Sequence, residues 1–136
     1  MAERVYCLYR GKDQESILMQ KNACHDFAEK KGWNIVGEEQ EIGVSGYKVS
    51  ADDLVKLQRI RKAAEQGEFD ILLVFMYDRL GRNLNETPFI AEWFTKKDRK
   101  SIHVWSVYEG EIIDGVDAER MLDYIRFWQT DEAQKL

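Results

Sequence analysis

The chain has few of the features that mark a specialised class of protein. It contains only two cysteines, Cys7 and Cys24, and neither belongs to a CxxC or Cys/His spacing. We therefore expect two buried free thiols rather than a disulfide or a metal site. No apolar run approaches the ~18–20 residues that cross a membrane, and the N-terminus lacks the layout of a signal peptide. These absences favour a soluble, cytoplasmic protein without membrane contact.

Positive charge is also scarce. The 136 residues carry 20 Lys and Arg against 25 Asp and Glu, a net charge of −5. Because neutralisation of phosphates by Lys and Arg drives non-specific affinity for nucleic acid, this chain alone is not expected to bind DNA tightly. If DNA is the substrate, most of the affinity comes from elsewhere and a local basic cluster performs the chemistry. A hydrophobic content of 44% supplies a core, and the length suits one domain.

Strand and helix patterns alternate along the chain. Apolar runs predict strands over residues 5–9, 33–36, 70–77 and 102–107. Amphipathic spacing and cap residues predict helices over residues 16–31, 50–66 and 87–97, and a last helix from residue 117 close to the end. This alternation predicts an α/β layered fold with a mainly parallel sheet flanked by helices. The functional loops are expected at one end of the strands.

The same spacing predicts which helix residues face the core. Gly32 and Gly67 are expected to end the first two helices. The expected core-facing residues are Met19, Gln20, Ala23, Cys24, Phe27 and Ala28 in the first helix, Leu54, Leu57, Ile60 and Ala64 in the second, and Ile90, Trp93 and Phe94 in the third. The last helix is apolar on more than one face, which fits either packing within the domain or a dimer contact.

Two arginines and an aspartate follow the most apolar strand. Asp78, Arg79 and Arg82 stand in the run DRLGR, where a glycine allows a tight turn. One turn of chain could aim both arginines at one anion, and the planar guanidinium suits phosphate. Arg10, at the end of the first strand, could join them because parallel strands end at the same edge. The alternatives are a salt-bridged helix cap for the DRLGR run and an ordinary surface arginine at Arg10.

Several segments together resemble the N-terminal catalytic domain of the serine site-specific recombinases, the resolvase–invertase family, and in particular those of mobile elements. The matching segments are YCLYR at 6–10, QESILMQ at 14–20, GVSG at 43–46, FDILLVFMYDRLGRN at 69–83 and DAERMLDYIRFW at 117–128. The resemblance covers nearly the whole chain. It implies helices around a mainly parallel sheet and a long C-terminal helix that forms a dimer.

The resemblance also implies a chemistry and a set of site residues. In this family a serine hydroxyl attacks a DNA phosphodiester without metal or cofactor, forming a phosphoserine link and a free 3′-hydroxyl. By resemblance, Arg10, Arg79 and Arg82 hold the phosphate, and Asp78 orients or tunes them. Gln14 and Gln20 match glutamines near the nucleophile, and Ser45 and Gly46 match a flexible loop of the site. His25 and His103 have no ligand pattern around them, and no metal is expected.

The chain departs from the family pattern in two places. Lys12 stands where the family has its nucleophilic serine, and an ammonium can bind phosphate but cannot replace the hydroxyl. Ser16 is the nearest serine, a weak nucleophile candidate that we expect to cap the first helix. In addition, Ala51 or Leu54 replaces an arginine of the family. Arg59 and Arg61 lie further along that helix and are expected to point elsewhere.

The expected organisation is one catalytic domain over residues 1–136. It divides into an α/β core over 1–115 and the start of a dimerisation helix over 116–136, with the DNA-binding region absent. The expected partners are DNA, through the full-length protein, and further copies of the chain as a homodimer or a synaptic tetramer. The predicted function is DNA cleavage and rejoining in site-specific recombination.

The departures leave three explanations open: a degenerate relative, an altered sequence, or an unusual serine. One alternative function is therefore a catalytically degenerate dimerisation or regulatory module. A second is a flavodoxin-like nucleotide or signalling domain, against which stands the absence of a GxGxxG or Walker loop after the first strand.

Overall fold

A computed structural model describes residues 2–42, 51–80, 93–95 and 102–112, with backbone alone for 51–55, 78 and 112. The strands are β1 (Arg4–Gly11), β2 (Asn34–Ile42), β3 (Ile71–Val74), β4 (His103–Ser106) and β5 (Gly110–Ile112). The helices are α1 (Gln14–Lys31) and α2 (Ala51–Glu65), and a 3-10 turn spans Tyr77–Arg79. Residues 93–95 are also helical.

Within these residues the strands form one sheet in the order β2-β1-β3-β4-β5. The β1–β2, β1–β3 and β3–β4 pairs are parallel, and β4–β5 is antiparallel. The prediction of a mainly parallel sheet is therefore confirmed. The sequence analysis missed β5, because a three-residue strand after a short turn is too brief to show a periodicity.

Alternate residues of the central strands face opposite layers of the core, as a pleated sheet requires. One layer joins Val5, Cys7, Tyr9, Ile71 and Leu73 to Ile17 and Cys24 of α1. The other joins Leu8, Leu72, Val74 and Val104 to Leu57, Ile60, Ala63 and Ala64 of α2 and to Phe94. Covering both faces with helices explains why β3 is apolar at every position.

Both helix ends lie where the sequence predicts them. Gly32 and Gly67 have φ angles of 73° and 70°, in the left-handed region that favours glycine. The N–H of Gly32 donates to the carbonyl of Glu29, and the next N–H donates to Ala28, at 3.0 and 2.9 Å. This Schellman pattern satisfies carbonyls that the last helical turn leaves open, and the Gly67 end repeats it.

The inward face of α1 differs from the prediction at one position. Met19 is 48% exposed, and Ile17 is buried in its place. The buried positions are Ile17, Gln20, Cys24 and Ala28, a single stripe, and Met19 lies about 200° around the helix from Ile17. In the other helices Phe94 is buried, Trp93 is half-buried, and Ile90 and the Leu54 side chain lie outside the described residues.

The strand bounds also differ from the prediction, most of all in β2 and β3. The β2 strand continues to Ile42 because it pairs with β1 along its whole length, from Arg4↔Asn34 to Gly11↔Ile42. That pairing overrides the low strand propensity of its glutamates. The β3 strand ends at Val74, three residues earlier than predicted, and Tyr77 belongs to the 3-10 turn. None of the helices in the described ranges combines the length and hydropathy needed to cross a bilayer.

Candidate active site

Two arginine-bearing segments meet at one edge of the sheet. The β1 strand pairs with β3 in parallel up to Leu8↔Val74, so Arg10 and the 3-10 turn both lie just past the carboxyl end of that ladder. The turn also contacts β1. This is the edge at which open α/β sheets bind ligands.

The Arg10 side chain is buried and paired with a carboxylate. Its Nε lies 2.7 Å from Oε2 of Glu41, and the two residues are register partners on β1 and β2. Only 7% of Arg10 and 1% of Glu41 are exposed. Removing one member of a buried ion pair costs about 3–5 kcal/mol because the other charge is left uncompensated. Glu41 therefore compensates the charge of the buried guanidinium.

Glu41 is a site residue that the sequence analysis missed. The sequence predicts that the strand ends at residue 36, which leaves Glu41 outside it. A strand continued to Ile42 in parallel register with β1 would have brought Glu41 opposite Arg10. The clue to Glu41 therefore lay in the pairing of its strand with β1 rather than in the residues around it.

Gln20 holds the backbone of Arg10. Its Oε1 accepts from the Arg10 N–H at 3.1 Å, and its Nε2 donates to the Arg10 carbonyl at 2.8 Å. Arg10 lies beyond the last β3 partner of β1, so the amide supplies bonds that the ladder no longer provides. Gln20 is fully buried. The structure thus brings Arg10 and Gln20 together, as the sequence analysis expected for two residues of one site.

Ser16 does not cap α1, which corrects the prediction. Asp13 is the N-cap: its side chain accepts from the Ser16 backbone N–H at 2.8 Å, and the helix begins at Gln14. The negative charge of an aspartate cap also interacts favourably with the positive end of the helix dipole. The half-buried Ser16 hydroxyl accepts from Nε2 of Gln20 at 3.3 Å.

Gly11 allows Ser16 to lie close to the end of β1. A Cβ placed on Gly11 would be 2.6 Å from Oγ of Ser16 and 3.3 Å from Nε2 of Gln20. Since real Cβ contacts are longer, only glycine fits there without a shift. Ser16 therefore lies against the residue that follows Arg10 in the chain. Its hydroxyl also forms a hydrogen bond with Gln20.

The 3-10 turn places Arg79 between two buried anchors. Tyr77 and Leu80 are three residues apart, which puts them on the same side of a 3-10 helix, and both are buried in the core. The Arg79 N–H donates to Met76 and the Leu80 N–H to Tyr77, at 2.9 and 3.0 Å. Arg79 itself is half-buried.

The remaining predicted site residues are placed as follows. Lys12 and Gln14 are exposed, Lys12 just past β1 and Gln14 on the first turn of α1. Asp78 lies in the 3-10 turn, and its side chain is outside the described residues. Arg82, Ser45 and Gly46 also lie outside them.

The two described arginines of α2 contact other side chains. Arg59 is exposed and lies 3.7 Å from Glu39, and the Arg61 guanidinium lies 5.1 Å from the centre of the Trp93 ring. A cation over an indole face is attracted by the ring quadrupole, so Arg61 has a structural role.

The other reactive side chains have structural partners. Cys7 and Cys24 are buried free thiols, as predicted. A hydrogen bond with Cys7 and burial raise the pKa of Cys24, which keeps it an unreactive thiol. His25 lies 2.9 Å from Glu38, and His103 lies 2.7 Å from Glu111. Among the described residues, no three His, Cys, Asp or Glu side chains gather as metal ligands.

Glu38 is the centre of a small hydrogen-bonded group beside α1. Tyr9 donates its hydroxyl proton to Oε2 of Glu38 at 2.7 Å, and His25 contacts the same oxygen. Burial by itself raises the pKa of Glu38, but the bonds with His25 and Tyr9 and the nearby Lys21 outweigh it, and the pKa is lowered.

Three solved structures have a similar fold. The N-terminal catalytic domain of TP901-1 integrase matches with a TM-score of 0.67 and 24% identity, over 93% of this chain and 96% of that one. The C-terminal catalytic domain of ISC1926 TnpA, an IS607-like serine recombinase, matches with a TM-score of 0.63 and 22% identity, over 91% and 79%. A resolvase family site-specific recombinase from Streptococcus pneumoniae matches with a TM-score of 0.65 and 19% identity, over 98% and 92%.

The sequence itself matches a protein family, although a comparison with curated proteins finds no match. The family model described as "Resolvase, N terminal domain" matches residues 10–129, which is most of the chain and includes Arg10, Gln20 and the DRLGR run. The chain therefore belongs to the resolvase N-terminal domain family, the catalytic domains of the serine site-specific recombinases.

Proposed function

We propose that this domain cleaves and rejoins DNA strands in site-specific recombination, and that Arg10, Arg79 and Arg82 hold the scissile phosphate. The observation that carries the proposal is the buried and oriented guanidinium of Arg10, at the sheet edge where the 3-10 turn begins. Membership of the resolvase family supports the same reaction.

The chemistry requires fixed positive charge. Phosphoryl transfer places extra negative charge on the phosphate oxygens, and a preorganised guanidinium stabilises that charge without rearranging first. Arg10 has its side chain held by Glu41 at 2.7 Å and its backbone held by Gln20. Because the geometry is set before substrate arrives, the entropy of ordering is not lost at the reaction step.

Ser16 is our candidate nucleophile. Its half-buried hydroxyl lies against Gly11 and accepts a hydrogen bond from Gln20, so it is close to Arg10. In cleavage, the serine oxygen bonds to phosphorus and the bond from phosphorus to the 3′-oxygen breaks. The serine loses its proton, and a proton ends on the 3′-oxygen. Rejoining is the reverse, with a 3′-hydroxyl attacking the phosphoserine.

A covalent trapping assay tests this assignment. The protein is mixed with attachment-site DNA, and denaturing gels are run to detect covalent protein–DNA adducts. We expect Ser16→Ala to abolish the adduct. Ser101→Ala, which replaces a serine that is not among the proposed site residues, is the control and should retain it. Peptide mass spectrometry should find the phosphate on Ser16. An adduct that survives Ser16→Ala would show that another residue is the nucleophile.

A second candidate function is a resolvase-fold module that assembles but does not cleave. The observation that favours it is Lys12, which is exposed just past β1 at the position where the resemblance expects the serine. DNA binding by the unaltered parent protein with no adduct under any condition would support this function in place of the first.

We also propose that the active form is an assembly. In this proposal DNA is the substrate, the protein acts for a mobile element in the bacterial cytoplasm, and residues 116–136 begin a dimerisation helix joined to the 1–115 core. Self-association through residues 117–130 would give a homodimer, and two dimers a synaptic tetramer. Sedimentation of the intact chain checks this, and a monomer at all accessible concentrations would count against it.

A further inference from the structure

The turn between β4 and β5, over residues 107–109, runs beside the segment that carries Arg79. The N–H of Val107 donates to the carbonyl of Val74 at 3.0 Å, and the N–H of Tyr108 donates to Phe75 at 3.3 Å. These bonds continue the β3–β4 pairing past the ends of both strands. The backbone that leads from β3 to Arg79 is therefore hydrogen-bonded to the β4–β5 turn.

Two further contacts attach the turn to Tyr77. The backbone N–H of Tyr77 donates to Oε2 of Glu109 at 3.4 Å, a long bond to a charged acceptor. The Tyr77 hydroxyl donates to the carbonyl of Gly110. Because the Tyr77 ring is only 4% exposed in the core, the first residue of the 3-10 turn is held through its backbone, its ring and its hydroxyl.

Glu109 is itself held in place by Ser106. The Ser106 hydroxyl donates to Oε1 of Glu109 at 2.8 Å, and the Glu109 N–H donates back to the Ser106 hydroxyl at 2.7 Å. Ser106 is fully buried at the end of β4. One carboxylate thus connects a buried residue of β4 with the start of the arginine turn.

The 3-10 turn needs such support because it is short. Within the described residues it is closed by two bonds, from Arg79 to Met76 and from Leu80 to Tyr77. The N–H at the start of a helical turn finds no acceptor within that turn, so an outside group has to supply one. Glu109 supplies it for Tyr77, two residues before Arg79.

We propose that Glu109 is a positioning residue for phosphate binding by Arg79, and that it acts through the backbone of the 3-10 turn. The proposal rests on the phosphate-holding role proposed above for Arg79. Glu109 does not contact the phosphate in this account. It fixes where the turn begins, and a misplacement of about 1 Å can cost on the order of 100-fold in a reaction of this kind.

The sign of one substitution separates positioning from simple electrostatics. Glu109→Gln removes a negative charge near a site for an anion, which by Coulomb's law alone strengthens phosphate binding. If Glu109 positions the arginines, the same substitution weakens phosphate binding. The matched control is Glu111→Gln, which removes a carboxylate of β5 that pairs with the exposed His103.

The experiment is a titration of the isotope-labelled chain with inorganic phosphate, followed by NMR at the Arg79 side-chain Nε–H and the Tyr77 amide. For Glu109→Gln we expect a shifted Tyr77 amide and phosphate affinity lowered roughly 10-fold or more. Glu111→Gln should change neither. Tyr77→Phe, which keeps the ring and removes the bond to Gly110, should also lower the affinity. Unfolding curves confirm that each variant is folded.

The outcomes are distinguishable. If folded Glu109→Gln binds phosphate as well as the unaltered chain or more strongly, and the unaltered chain responds normally, the positioning role is overturned. The proposed function is then left intact. An unaltered chain whose Arg79 signal does not respond to phosphate contradicts the phosphate site itself, and the positioning role falls with it.

Discussion

Replacing Gln20 with leucine removes the amide that bonds both backbone groups of Arg10. Leucine fills a similar volume, so the main loss is the two hydrogen bonds, at 3.1 and 2.8 Å, and not a cavity. Each buried backbone group left without a partner costs roughly 1–3 kcal/mol. The free energy of unfolding should therefore fall by about 2–6 kcal/mol, a large share of the ~5–15 kcal/mol typical of a domain.

Urea unfolding followed by tryptophan fluorescence measures this loss. Gln20→Glu should be tolerated no better, because its buried carboxylate still accepts from the Arg10 N–H but places a negatively charged oxygen against the Arg10 carbonyl. Gln14→Leu, an exposed glutamine on the same helix, is the control and should change stability by less than about 0.5 kcal/mol. A Gln20→Leu chain as stable as the Gln14→Leu control would refute the argument.

Two further predictions concern the close contact at Gly11 and the titration of a tyrosine. Gly11→Ala places a Cβ 2.6 Å from Oγ of Ser16 and should cost about 1–3 kcal/mol of unfolding free energy. Because Ser16→Ala removes that oxygen, a double-mutant cycle should show coupling, and strict additivity would contradict the contact. Burial and then Glu39 raise the pKa of Tyr6 to about 12 from 10.0. This raised pKa stabilises the fold below pH 10, and the contribution is lost between pH 10 and 12. Alkaline titration at 295 nm should show one fewer late-titrating group in Tyr6→Phe, and an unchanged curve would count against the shift.

The site was partly readable from sequence. Arg10 and the DRLGR run each follow an apolar strand, and parallel strands end at one edge, so their neighbourhood could be predicted. The role of Ser16 could not, because Asp13 and Ser16 are both acceptable N-caps and only the start of the helix decides between them. Glu41 was missed because its strand is rich in glutamate and is stabilised by pairing with β1 rather than by local propensity.

The sequence by itself determined the order of β1 to β4 with α1 and α2, the ends of those helices at Gly32 and Gly67, and the apolar character of β3. These features depend on residues a few positions apart, through helical periodicity, strand alternation and the left-handed preference of glycine. Only the tertiary structure decided that Glu41 lies opposite Arg10 and that Glu109 contacts Tyr77. Such contacts depend on strand register and on turns between distant segments, and a change of one residue in register would move every partner.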